Sequence, residues 1–299
     1  MDIPKTNNIG ASTRLNPKES LEMTSFITNN SPKAWAMDVH GIAPQAVIPQ
    51  ALVLQCTTKG GEVRGDAPVV RVPRIKIIDA GFVPEGSDIP ESDPELMEML
   101  IKTGTVAELL KVSRDQLGLD SASALISHEM RRSLIAKADV AFLSQPAPVS
   151  PAEFPPAGLL AYATDAGPLT GDLDALIDAV SQIEALPGGV ATHILAHPSA
   201  YATLRQIKKA TGSNESLLGA GTQPGEKSLL GIPVLTTNAL PSEGVLVLDK
   251  NYVVSAYTNV ELARSDDFYF NSISVALRAS FRFGAGLLEA QAAQYLEVE

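Results

Sequence analysis

The chain has 299 residues, and its 23 Lys+Arg against 34 Asp+Glu give a formal charge of −11. That length supports one large or two medium domains, and the acidic balance excludes a sequence-reading DNA-binding protein, which needs a basic face to neutralise phosphates. The lone cysteine, Cys56, excludes an intramolecular disulfide and a zinc site built on several thiolates, and no apolar run reaches the ~20 residues of a membrane helix. The opening MDIPKTNNIGASTRLN lacks the apolar stretch of a signal peptide, so the sequence reads as a soluble, acidic protein of a reducing compartment.

Residues 1–45 are polar and turn-rich and read as an arm, with Phe26 and Trp35 as candidate anchors. Residues 46–80 read as a long β-hairpin, Val47–Thr58 pairing with Val69–Ile78 across turn signals at Lys59-Gly60-Gly61 and Gly65-Asp66. Pro73 breaks the second strand, which suits an exposed two-stranded extension lying on another surface. An acidic stretch follows, with Glu85, Asp88, Glu91, Asp93, Glu95 and Glu98 and no basic residue.

Ser113-Arg-Asp-Gln116 is a capping-box pattern opening a short helix. Asp120 then caps a long helix to about Leu143, whose apolar positions Leu125, Ile126, Met130, Leu134, Ala138 and Phe142 keep to one face. Residues 144–158 hold five prolines and read as a linker or crossing. The pattern then predicts a helix over 172–186 closed by Pro187-Gly188-Gly189, a strand over 190–196 and a helix from Pro198 to about Ala210. Thr211–Lys227 reads as a surface loop. Strands follow at Ile232–Thr237, Val245–Leu248, Tyr252–Tyr257 and Ile273–Phe283, the last alternating Leu277, Ala279, Phe281 and Phe283 with Arg278, Ser280 and Arg282. The fold class is α+β, with no internal repeat.

Catalytic chemistry leaves no recognisable constellation. His193 and His197 are four apart, but on a strand ending at Pro198 and without further convergent ligands; His40 and His128 are isolated. Gly221–Ser228 imitates a phosphate loop, but Glu226 stands where glycine must precede the lysine, and the segment precedes a strand instead of following one. Cys56 has no local activating motif and reads as a structural thiol, and Arg64-Gly65-Asp66 reads as a polar hairpin tip. No catalytic residue, cofactor or metal site is expected.

Charge placement is more informative. Lys59, Arg64, Arg71, Arg74 and Lys76 make the hairpin basic, while Glu85, Asp88 and Glu91 begin the acidic stretch. These residues are candidate inter-subunit contacts, since complementary fields steer and register assembly. Neutralisation between the two segments of one subunit reads equally well.

The order of elements resembles the major capsid protein of tailed bacteriophages, the Hong Kong 97 fold. Gly81-Phe82-Val83-Pro84-Glu85-Gly86-Ser87 with Ile89-Pro90-Glu91-Ser92 is similar to the segment closing that family's extended loop. Val112–Leu117 running into Asp120-Ser121 and Asp139–Leu143 resembles its spine helix. Leu230–Val234, Asn238–Pro241 and Val247–Asp249 resemble its axial strands, and Phe268 with the strand to Arg278 and Arg282 its final peripheral strand.

The resemblance implies an N-terminal arm at 1–45, an extended loop at 46–85, a peripheral domain at 86–145 plus 248–278, and an axial domain at 146–247 plus 279–299. It implies pentamers and hexamers in an icosahedral virion shell around double-stranded DNA held without sequence-specific contacts, assembled in the host cytoplasm. A separate scaffolding protein, a portal and decoration proteins are the implied partners; no membrane is. Some members cross-link a loop lysine to an asparagine with a glutamate's help. Lys59 and Asn271 match the first two places, but Arg278 holds the third and is no base, so no isopeptide bond is expected. An encapsulin-type compartment and an α+β enzyme with an unrecognised site are the competing readings.

Overall fold

In the computed structural model, strand β13 (Ser274–Leu287) organises the first of two sheets. The structure describes residues 39–63, 65, 69–75, 82–83, 85–86, 88, 96–117, 122–208 and 227–298. One edge of β13 pairs antiparallel with β12 (Val260–Tyr269) over its first half and β11 (Val253–Tyr257) over its second. Thr258 bridges the two partners, its N–H donating to the Arg282 carbonyl at 2.9 Å. The other edge pairs with β5 (Gly104–Ser113) from Ser274↔Ser113 to Phe283↔Gly104. Strands β1 (Val39–Ile42, on β12) and β2 (Thr58–Gly61, parallel to β11) complete this sheet.

The 22-residue helix Ala122–Leu143 lies across it. Met130 meets Val275, Leu277 and Ala279, while Leu134, Ala138 and Phe142 meet Phe281 and Phe283. The three-and-four spacing places these side chains on one helical face. Leu125, assigned to that face by its spacing, is exposed instead, while its neighbour Ile126 packs against the core. Asp120, the expected cap, lies outside the described residues.

The second sheet has the order β6-β14-β10-β7-β9-β8, from β6 (Thr164–Leu169), β7 (His193–Ala196), β8 (Ser228–Leu229), β9 (Ile232–Thr236), β10 (Gly244–Leu248) and β14 (Ala293–Val298). Helices Asp174–Glu184 and Pro198–Gln206 contribute to its core. Strand β10 is buried on both faces, which is why it reads GVLVL without alternation. Val245 and Val247 face the helices, whereas Leu246 and Leu248 face the core shared with the first sheet and the long helix.

Several expectations need correction. Val47–Thr58 is not a strand: Pro44–Val47 and Leu52–Gln55 are helical turns, and Ile48, Ala51, Leu52, Val53 and Cys56 fill the junction of the two sheets and the long helix. An apolar run this short carries no period that separates strand from helix. The two-stranded ribbon is instead β3 (Val69–Ile75) with β4 (Leu96–Lys102), in register from Val69↔Lys102 to Ile75↔Leu96. Ile273 is no strand residue but an exposed left-handed turn position with φ 49°. The boundary placed at 278/279 falls inside β13, and the chain crosses to the second sheet at Leu288–Ala292. The expected loop at 211–227 lies outside the described residues but for Lys227, as do Phe26 and Trp35.

Candidate inter-subunit surface

The β3–β4 ribbon has two unlike faces, because directly opposed residues of an antiparallel pair share a side. Val70, Val72, Met99 and Ile101 pack with Val63, Val254 and Ala256 on the body. Glycines permit this seating: a Cβ on Gly284 would stand 2.2 Å from the Lys102 carbonyl oxygen, and one on Gly286 3.1 Å from Met99 Sδ. The opposite face carries Arg71/Leu100, Pro73/Glu98 and Ile75/Leu96 pairs, and Leu96, Leu100 and Ile75 are all exposed there. Exposed apolar side chains grouped on the outer face of a ribbon mark a contact surface.

Two arginines hold the ribbon to the body, one near each end. Arg74 Nη1 donates to the Leu288 carbonyl at 2.7 Å, and Nη2 pairs with Glu289. Arg282 donates through Nε to Thr103 Oγ1 at 3.1 Å and through Nη1 to the Gly65 carbonyl at 3.1 Å. The sequence reading missed both the anchoring role of Arg282 and the acceptor Glu289, since neither has a local signature.

The residues singled out for charge are distributed unevenly. Arg71 pairs with Glu98 at 3.2 Å across the ribbon, both side chains more than half exposed. Lys59 sits in β2, not on the ribbon; its Nζ is 2.9 Å from Glu62 and 4.9 Å from the Tyr257 ring centre. Glu85 and Asp88 are exposed in the connection between β3 and β4. Arg64, Lys76 and Glu91 lie outside the described residues. Among the described residues, Arg71–Glu98 joins the basic segment to the acidic stretch within one subunit, whereas Lys59 pairs with Glu62 and Arg74 with Glu289, both outside that stretch.

A second exposed apolar group caps the β12–β13 hairpin, where Phe268, Phe270 and Ile273 surround the turn Phe270–Ser272. The tip is braced by an edge-on Phe268–Tyr269 contact, by Lys111 over Tyr269 and by the Arg114 N–H donating to the Ile273 carbonyl. Asn271 is in this turn and Arg278 is exposed on β13.

The remaining polar groups have structural surroundings. Cys56 is fully buried, and burial pushes its thiol up to about 12. Asp139 Oδ1 accepts the Leu52 N–H at 2.8 Å, and burial raises its carboxyl to about 6 despite that bond. His193 is held below its ordinary range by burial and then by Lys250. His197 caps the helix Pro198–Gln206, its Nδ1 accepting from the Ser199 N–H at 3.3 Å. Among the described residues no group of three or more His, Cys, Asp or Glu is placed to hold a metal ion, and no helix is long and apolar enough to cross a membrane.

Comparison with known proteins agrees with this architecture. The sequence matches the Phage capsid family over residues 56–298. A chain solved from Gordonia phage Cozz superposes with a TM-score of 0.65 at 18% identity, covering 84% of this chain and 87% of its own. A chain from the capsid of a native GTA particle gives 0.61 at 18% identity over 82% and 89%. Mycobacterium phage Bobi gives 0.60 at 17% identity over 91% and 99%. No curated protein sequence matches. The chain belongs to the phage capsid family. It has the Hong Kong 97-type α+β fold and is a structural protein of a virion shell.

Proposed function

We propose that this chain self-assembles as pentamers and hexamers into an icosahedral shell enclosing phage double-stranded DNA. The observation that carries the reading is the β3–β4 ribbon, anchored on its own body through one face and presenting Ile75, Leu96 and Leu100 on the other. Such a surface is completed by another subunit, and each weak contact gains strength from repetition around a closed symmetric lattice. In this reading the arm is 1–45, the extended loop is the ribbon with its flanks, and the peripheral and axial parts follow the first and second sheets. A separate scaffolding protein, a portal and decoration proteins act with it during assembly in the host cytoplasm.

No covalent cross-linking is proposed, because Arg278 stands where the family's assisting glutamate would be and Lys59 is engaged with Glu62. The experiment is electron microscopy of the purified chain with a denaturing gel of the particles. Closed shells of hexamers and pentamers running as a single monomer band support the reading. Irregular aggregates contradict the assembly, and ladders contradict the absence of isopeptide bonds. Shells that package protein cargo in place of DNA would point to a compartment.

A further inference from the structure

The tip between β12 and β13 is an apolar knob, with Phe268, Phe270 and Ile273 exposed by 65%, 81% and 69%. Ile273 sits at φ 49°, a left-handed conformation that glycine or asparagine adopts at less cost than a β-branched residue. The edge-on Phe268–Tyr269 contact and the Lys111 ammonium, 4.9 Å from the Tyr269 ring centre, fix the tip before it meets anything. Strained backbone that displays apolar side chains to solvent points to a contact made with another molecule.

A groove of about 310 Å³ opens between β5, the end of the long helix and the proline-rich crossing, walled by Ala107, Phe142, Phe154, Pro156 and Phe283. A concave, aromatic-lined site of this kind receives an aromatic anchor. Lys137 is the one ionisable residue lining it, and among the described residues it forms no ion pair. The tip carries the opposite charge. Asp267, next to Phe268, is exposed and pairs with no cation among the described residues, whereas Asp266 is engaged by Arg264 at 2.8 Å.

Knob and groove cannot meet within one chain. From Ser274 beside the tip to Phe283 beside the groove, β13 runs roughly 30 Å at ~3.3 Å per residue. A contact joining them is made between copies. It joins unlike surfaces, so each subunit gives a knob and receives one, and the contact repeats from copy to copy. The outer face of the β3–β4 ribbon is the competing occupant, but it is a broad two-stranded face whose Glu98 is already paired with Arg71.

We propose that the Phe268–Ile273 tip of one subunit inserts into the groove between β5, the long helix and the proline-rich crossing of a second copy, with Phe268 and Phe270 as anchors and Asp267 paired with Lys137. Aromatic side chains in a desolvated pocket supply the affinity, and the charge pair supplies the register. This deepens the shell reading, on which it rests, by naming a head-to-tail contact that orients one subunit against the next.

The test combines Asn271→Cys in the tip with Ala107→Cys, Gln145→Cys or Ala157→Cys around the groove, in the full chain under mild oxidation. Buried Cys56 does not compete. The expected result is a ladder of disulfide-linked multimers on a non-reducing gel for at least one pair and none for any introduced cysteine alone. Beside it, Asp267→Lys and Lys137→Glu should each lower the yield of closed shells at least tenfold by electron microscopy, and the double variant should restore it. Absence of a ladder from every pair overturns the proposal, and where the particles are closed shells it leaves the shell standing. Links from Asn271→Cys alone would mean that tips meet tips, and links only from Glu98→Cys in its place would mean that the ribbon fills the groove; either result overturns the proposal. A double variant no better than the single ones overturns the charge pairing. A ladder from a chain that closes no shell upholds the contact and refutes the shell.

Discussion

The carboxylate of Asp139 accepts the backbone N–H of Leu52 at 2.8 Å, joining the long helix to the short turn that fills the junction of the two sheets. The turn's own cap position, Ala51, has no side chain able to do this, so a residue 87 positions beyond Leu52 supplies the acceptor. The bond comes with burial of an ionisable group, and desolvation lifts its carboxyl from 3.8 to about 6.

The sign of the resulting pH dependence follows from proton uptake. Between about 3.8 and about 6 the folded chain binds the Asp139 proton more tightly than the unfolded chain. The contribution of this group is therefore fully present below the lower value and is lost as pH rises through the upper one. Asp139→Asn keeps an acceptor for Leu52 and removes the buried charge. Thermal melts should show the variant more stable than the parent at pH 7.5, with the difference shrinking toward pH 4. A variant less stable at pH 7.5 would contradict this account.

Arg74 and Arg71, three apart on one strand, should behave differently. Arg74 is about one quarter exposed and makes charge-assisted bonds to Leu288 and Glu289, whereas the Arg71–Glu98 pair is 74% and 57% exposed. Arg74→Ala should cost about 1–2 kcal/mol and speed hydrogen exchange of β3 and β4, while Arg71→Ala should stay within about 0.5 kcal/mol. Charge reversal at both positions should leave capsomers or aggregates instead of closed shells, mainly through Arg74. Equal losses for the two alanine variants would refute the assigned anchor.

Gly284 is required by a close approach and not by its backbone angles. A methyl group there meets the Lys102 carbonyl at 2.2 Å, a contact that backbone must move to relieve. Gly284→Ala should lift β4 from β13 and lower the melting temperature by several degrees, as expected for overpacking costs of about 1–3 kcal/mol. An unchanged melt would show that the ribbon is not seated on β13 in solution.

Burial makes Cys56 inert while the chain is folded. A thiol pushed up to about 12 offers almost no thiolate at pH 8 and no access. A thiol reagent should therefore titrate no cysteine in the native protein and one after denaturation. Rapid native labelling would mean that the segment 51–56 leaves its pocket.

The elements legible in the sequence are those whose burial pattern is simple. β13 shows alternation through Leu277, Ala279, Phe281 and Phe283, and the helix 174–184 shows Leu176, Ala179 and Ile183 on one buried side. Strand β12 escaped notice because it is largely exposed and carries Glu261, Arg264, Asp266 and Asp267. The segment 47–58 was misleading for the opposite reason: its apolar residues serve a junction, where period carries no information. The ribbon's basic character was readable, but its anchor was not, since Arg74 and Glu289 are 215 residues apart and nothing local links them.

The central claim is that this 31.5 kDa chain builds a closed shell. Light scattering on the purified protein, coupled to size-exclusion chromatography, tests it most directly. The account predicts a narrow megadalton species, either spontaneously or on co-expression with a scaffolding protein. A stable species near 31.5 kDa under both conditions would contradict it.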